Sequence, residues 1–77
     1  MELTIISPEK ILYKGQAESV TLPGLKGSFT VLERHASIIS VLGAGTIRYL
    51  HKEKESLVPV NEGFVEVKNN VVTVCIE

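Results

Sequence analysis

Apolar and polar positions alternate in short runs along most of this chain. Leu3 and Ile5 share a phase in Glu2–Ser7, Val20 and Leu22 in Glu18–Leu22, and Ile47 and Tyr49 in Thr46–Leu50. Val65 and Val67 are in phase in the run that follows Gly63, with Phe64, Glu66 and Lys68 on its other face. Val72, Val74 and Ile76 are in phase in Val71–Ile76. A period of two with breaks at Pro8, Gly15, Pro23-Gly24, Gly43-Ala44-Gly45 and Asn61-Glu62-Gly63 predicts short strands joined by turns. Lys10–Lys14 and Phe29–Leu32 read as further short strands. Ile38–Leu42 fits a helical turn or a buried strand, because so few apolar residues carry no decisive period. Asn69-Asn70 has the composition of a two-residue hairpin turn, since Asn tolerates positive φ. His51–Glu55 reads as a solvated hairpin tip, and Pro59 marks its run as an edge strand or a bulge. No segment is long and periodic enough for a stable helix.

The result is an all-β reading: about ten short strands in a two-sheet sandwich or flattened barrel, with residues 1–77 as one domain. Composition sharpens it. Ten Val, seven Ile and five Thr supply the β-branched side chains that pack well on a pleated sheet. A domain of 77 residues buries only about 60% of its unfolded surface, so a chain of this size gains from partners.

Charge and chemistry mainly exclude. Eight basic and nine acidic residues are mixed along the chain, so nothing steers it to nucleic acid or an anionic membrane. Four aromatics without a Trp make a poor platform for stacking bases. The single cysteine, Cys75, leaves no internal disulfide or Cys-rich metal site, and no disulfide-linked partner is expected. Near the end of an apolar strand, Cys75 reads as a small core residue. The start Met-Glu-Leu-Thr has no basic n-region or long apolar run, which predicts neither secretion nor a membrane span. The glycines match no dinucleotide or phosphate-loop fingerprint, and no nucleophile–base pair stands out, so neither catalysis nor a cofactor is expected.

Two places invite a functional reading. Lys26, in Pro-Gly-Leu-Lys-Gly-Ser, has the setting of a swinging-arm lysine of a lipoyl or biotinyl carrier, although its flanking residues are not those of such carriers. Glu33-Arg34-His35 interrupts apolar runs with a charged patch. Arg is enriched at interfaces, which favours a partner-facing role for Arg34. His35 reads first as a polar turn residue that hydrogen-bonds locally, with a partner-facing role as the alternative.

Beyond these, five pieces in order resemble one family. They are Leu3-Thr4-Ile5-Ile6-Ser7-Pro8, Tyr13-Lys14-Gly15, Val20–Gly24 with Gly27–Ala36, Gly45-Thr46-Ile47-Arg48, and Glu62–Val67 with Asn70–Val74. Together they resemble the N-terminal β-sandwich domain of the epsilon subunit of F-type ATP synthases, named delta in mitochondria. The resemblance implies a ten-stranded sandwich in the central rotor stalk that binds the gamma subunit and the c-ring and has no active site. It implies a peripheral position on the cytoplasmic face of a bacterial membrane, reached only through the c-ring. By the same carry-over Lys26 and Ser28 mark the c-ring end, and Glu33, Arg34 and His35 a subunit contact.

This sequence departs from the family pattern in three ways. Ser28 stands where many members carry an acidic residue that faces the c-ring. Glu33-Arg34 replaces a Pro-Gly or Pro-Asn pair, and Ser37 replaces a Pro. The helical hairpin that follows the sandwich in the family, and inhibits ATP hydrolysis, has no counterpart in these 77 residues. A subunit ending here is expected to couple without inhibiting in that way.

Overall fold

A computed structural model describes residues 1–77. Nine strands account for most of it: β1 (Glu2–Ile6), β2 (Ile11–Gln16), β3 (Ser19–Gly24), β4 (Gly27–Leu32), β5 (Ile38–Leu42), β6 (Gly45–His51), β7 (Lys54–Val60), β8 (Gly63–Lys68) and β9 (Val71–Ile76). They form one curled sheet in the order β2-β1-β9-β8-β5-β3-β6-β7, with β4 paired to β3 off that path. Only β1 and β9 run parallel; the other pairings are antiparallel. The curl brings β2, at one end of the order, back towards β6, where the rings of Tyr13 and Tyr49 meet at 4.4 Å between centroids. The all-β flattened-barrel expectation therefore holds, with nine strands observed where about ten were expected.

The concave side holds the core, and the alternation explains it. Leu3, Ile5, Val20, Leu22, Val31, Ile47, Val65, Val72 and Val74 are completely buried, and every buried residue is apolar. Most of these are the in-phase residues of the sequence pattern. Ile38–Leu42 resolves as a strand because it pairs along its whole length with β8, from Ile38↔Val67 to Leu42↔Gly63. Pro59 lies on β7, the strand at the other end of the order, which needs no N–H from it on its open side. Cys75 departs from expectation. It follows the buried Val74, so strand alternation turns it to the outer face, where it is half-buried rather than part of the core.

The hairpin turns show local chemistry at work. Asn69 and Asn70 take φ of 53° and 63°, as a two-residue turn of this type demands and as Asn tolerates. The β6–β7 turn has the same form, but Lys52 and Glu53 occupy it, at φ of 51° and 66°. Left-handed backbone costs an ordinary L-residue roughly 1–2 kcal/mol. Replacing Lys52-Glu53 with Asn-Gly is therefore expected to stabilise the domain and raise its melting temperature by about 5 °C or more. The bond from the Lys52 amide to Glu18 Oε2, 3.0 Å, belongs to the backbone and survives the change. Thermal unfolding followed by circular dichroism checks this; an unchanged or lower midpoint would show that the turn is unstrained.

Candidate functional site

The strand pairing sorts the five sequence-predicted residues into two groups. Gly24 pairs with Gly27 and Pro23 with Ser28, so the β3–β4 turn consists of Leu25 and Lys26 alone. Gly27 and Ser28 are thus already strand, and β4 begins two residues earlier than the sequence suggested. Gly27 takes φ of 131°, which only glycine adopts freely. Lys26 and Ser28 stand exposed at this end. Glu33, Arg34 and His35 follow the far end of β4, roughly 17–20 Å away at about 3.3 Å per residue. No single site holds all five.

At the far end the charged patch is built into the fold. One Glu33 oxygen accepts a hydrogen bond from the α-amino group of Met1, which also donates to Ala17 O at 3.1 Å. The other Glu33 oxygen accepts from Asn70 Nδ2 at 3.1 Å. Arg34 adopts φ of 62°, and its backbone N–H donates to Asn70 Oδ1 at 2.8 Å. His35 bonds locally: its N–H donates to Leu32 O at 3.2 Å, and Nδ1 lies 2.7 Å from Ala36 O. The side chains of Lys26 and Arg34 form no salt bridge; the ion pairs are Met1–Glu33 and Arg48–Glu55, and His51 Nδ1 lies 3.5 Å from Glu18 Oε2.

The bond from Met1, then that from Asn70, holds the Glu33 carboxyl below the usual carboxylate range, and the charges of Met1 and Arg34 add to the effect. A carboxyl held low contributes stability that is full above its unfolded pKa, near 4.5, and lost as pH falls through the folded value. Between about pH 5 and pH 3 the wild-type melting temperature is therefore expected to fall further than that of Glu33→Gln. Melting curves across that range check this, and parallel acid limbs would contradict it.

Sequence reasoning missed an apolar row on the outer face. Val41 pairs with Phe64, Phe64 with Cys75, Cys75 with Ile6, and Ile6 with Ile11. The five side chains thus lie abreast across β5, β8, β9, β1 and β2, spanning roughly 19 Å at about 4.8 Å per strand. Val41, Phe64 and Ile11 are 56%, 50% and 58% exposed, which is unusual for side chains this apolar standing side by side. A hollow of about 370 Å³ beside Val41, lined by Leu25, Lys26, Phe29 and Ile39 among others, continues the row to the β3–β4 turn. Phe64 was legible as an outward residue, but lateral register across five strands leaves no local trace in a sequence.

No three of the His, Cys and Glu side chains converge as a metal site would need. No helix is present that is long and apolar enough to cross a membrane.

Comparison with known proteins agrees over the whole chain. The family model described as the ATP synthase delta/epsilon chain beta-sandwich domain matches residues 1–77. An ATP synthase epsilon chain of Leptospira borgpetersenii serovar Hardjo-bovis is 42% identical over 74 residues, covering 96% of this chain and 58% of the relative. One from Sulfurimonas denitrificans is 44% identical over 79 residues, covering all of this chain and 60% of the relative. The chain thus spans about three-fifths of the length of these relatives. Among solved structures, a chain of the Euglena gracilis mitochondrial ATP synthase superposes with a TM-score of 0.90 at 19% identity, over 96% of this chain and 48% of its own length. A chain of the Tetrahymena thermophila central stalk and c-ring structure gives 0.83 at 17% identity, over 97% and 61%. At such identities the superpositions speak for the fold alone. From the family match and these relatives together, the chain belongs to the ATP synthase delta/epsilon chain beta-sandwich family.

Proposed function

We propose that this domain is a non-catalytic rotor part of an F-type ATP synthase, which docks on the gamma subunit and rests on the c-ring. It would thereby couple ion flow through the ring to ATP synthesis elsewhere in the complex, at the cytoplasmic face of a bacterial membrane that it touches only through the ring. The observation that carries the reading is the outer apolar row, Val41–Phe64–Cys75–Ile6–Ile11, on a chain of this family. A contiguous exposed apolar patch on a small domain marks a surface that a partner covers.

Two features support a bridging role. The candidate residues fall at opposite ends of β4, and a coupling part needs separate contacts for its two neighbours. The hydrogen bonds of the sheet and its short turns suit a part that must transmit torque without yielding. The family's acidic contact residue is replaced by Ser28 with Lys26 beside it, so the c-ring contact of this chain would rely on a basic and a neutral side chain. The carrier reading at Lys26 is the weaker one. The side chain does stand at a two-residue hairpin tip, but family membership favours the stalk.

The test is co-purification with the gamma subunit of the same organism. A stable complex is expected, and failure to form any complex at micromolar concentration would sink the proposal. Within it, Arg34→Glu is expected to weaken the complex by about tenfold, as loss and reversal of a charge contact at an interface rim would. Its melting temperature should fall only slightly, because the Arg34 guanidinium is exposed, forms no ion pair and is the smallest of the influences on Glu33. A large fall in melting temperature would instead assign Arg34 to local packing.

A further inference from the structure

We infer that Asn70 is a positioning residue, whose side chain clamps the connection between β4 and β5 so that Arg34 and His35 are presented to a partner in one arrangement. The inference rests on the docking reading above and names the residue that shapes one of its contact regions.

Residues 33–37 leave β4 and reach β5 without secondary structure of their own. Within the segment, bonds are short-range: His35 N–H to Leu32 O, and His35 Nδ1 beside Ala36 O. Every hydrogen bond that ties the segment to a distant part of the chain runs through Asn70 or Met1. Asn70 contributes both faces of its amide. Nδ2 donates to Glu33 Oε1 at 3.1 Å, and Oδ1 accepts from the Arg34 N–H at 2.8 Å. These two bonds grip successive residues, and Arg34 holds a left-handed backbone, φ 62°, beside them. An ordinary residue keeps that conformation only when its surroundings over-determine it.

The clamp is itself anchored. Asn70 lies in the two-residue β8–β9 turn, and its carbonyl accepts from the Glu2 N–H at 3.1 Å, which fixes it to the start of β1. The other Glu33 oxygen is held by the α-amino group of Met1, which is bound in turn to Ala17 O. Separate chain segments thus meet at one amide and one carboxylate. A loop ordered before it meets a partner does not lose that freedom on binding, so the clamp would act on affinity as well as on the fold.

Three variants of the chain separate positioning from general stability. Asn70→Gly keeps the positive-φ turn and removes the amide. Asn70→Asp keeps the acceptor for Arg34 N–H but sets a carboxylate against Glu33. Asn70→Asp combined with Glu33→Gln restores the pair with its polarity exchanged. In that double variant the introduced amide donates to the introduced carboxylate, and the amide's carbonyl oxygen still accepts from Met1. Amide hydrogen exchange of residues 34–37 reads the clamp directly, and binding to the gamma subunit reads its consequence. Asn70→Gly is expected to speed exchange in the segment, leave the core strands protected, and weaken binding by about tenfold, the size of one or two lost hydrogen bonds. The exchanged pair is expected to recover both readouts, and Asn70→Asp alone neither. Unchanged exchange in Asn70→Gly overturns the clamp, whatever the binding result. Faster exchange with wild-type affinity overturns its role in presentation. General loss of protection that the exchanged pair does not rescue makes Asn70 merely structural and overturns it too. Failure of the wild-type chain to bind gamma overturns presentation to that partner and the docking reading with it, while the exchange result still decides the clamp.

Discussion

Replacing Gly63 with alanine is expected to destabilise the domain by about 3 kcal/mol, at the upper end of what overpacking a closed site costs. Gly63 opens β8 between two partners, opposite Leu42 of β5 and Ile76 of β9. A methyl group there would lie 3.0 Å from the Cα of Ile76 and against the backbone of Cys75. Neither can turn aside as the end of a flexible side chain can, so β8 and β9 must part where the chain's last strand is fastened. A domain of this length has a total stability of about 4–12 kcal/mol, and the melting temperature should fall by about 10 °C or more. Gly43→Ala is the control. Its methyl group would meet only the end of the Leu25 side chain, 3.1 Å away and free to move, so less than about 1 kcal/mol should be lost. Equal losses for the two variants would show that backbone contact is not the cause.

The contrast between these two glycines shows where the sequence is readable. Both were recognisable as turn punctuation, because chain reversals draw on few residue types. Alternation groups the side chains that share one side of each strand, since the side-chain period is fixed at two; Leu3 with Ile5, Val20 with Leu22, Val65 with Val67 and Val72 with Val74 do lie together, on the core side. Asn69-Asn70 announced its turn by a backbone preference that few residues share. What stayed hidden depends on pairing between distant parts of the chain. Nothing in Pro-Gly-Leu-Lys-Gly-Ser says that Gly27 is already strand, because pairing with Gly24 and its neighbours decides that. In the sequence Glu33 reads only as part of a charged patch that interrupts apolar runs. Its partners are 32 and 37 residues away in the chain. Family resemblance already divided the candidate contact residues into two groups, but that the length of β4 holds them apart is set by strand pairing. The apolar row was invisible for the same reason. Val41, Phe64, Cys75, Ile6 and Ile11 come from five neighbouring segments of sheet, and only register sets them abreast.

That row is also where a single substitution should have its largest functional effect. If the domain docks on the gamma subunit as proposed, Phe64→Glu is expected to weaken that docking by about 100-fold or more, while the domain stays folded. Phe64 is the largest side chain in the row and lies between Val41 and Cys75. Large aromatic anchors at the middle of an interface commonly contribute about 2 kcal/mol or more, and a carboxylate buried in the same apolar contact adds an uncompensated desolvation cost. Together these exceed the roughly 2.7 kcal/mol that 100-fold requires. Stability should change little, by about 1 kcal/mol at most, since Phe64 is half exposed, faces away from the core and shares its face with Glu66 and Lys68. Leu57→Glu supplies the comparison. Leu57 is 60% exposed, more than Phe64, but it stands on β7 opposite Arg48, outside the row. If exposed apolar area alone drove association, the two variants would lose affinity alike. If the row is the docking surface, Leu57→Glu binds as wild type and Phe64→Glu does not. Isothermal titration against purified gamma, with melting curves for each variant, distinguishes the two, and wild-type affinity for Phe64→Glu would remove the row from the interface.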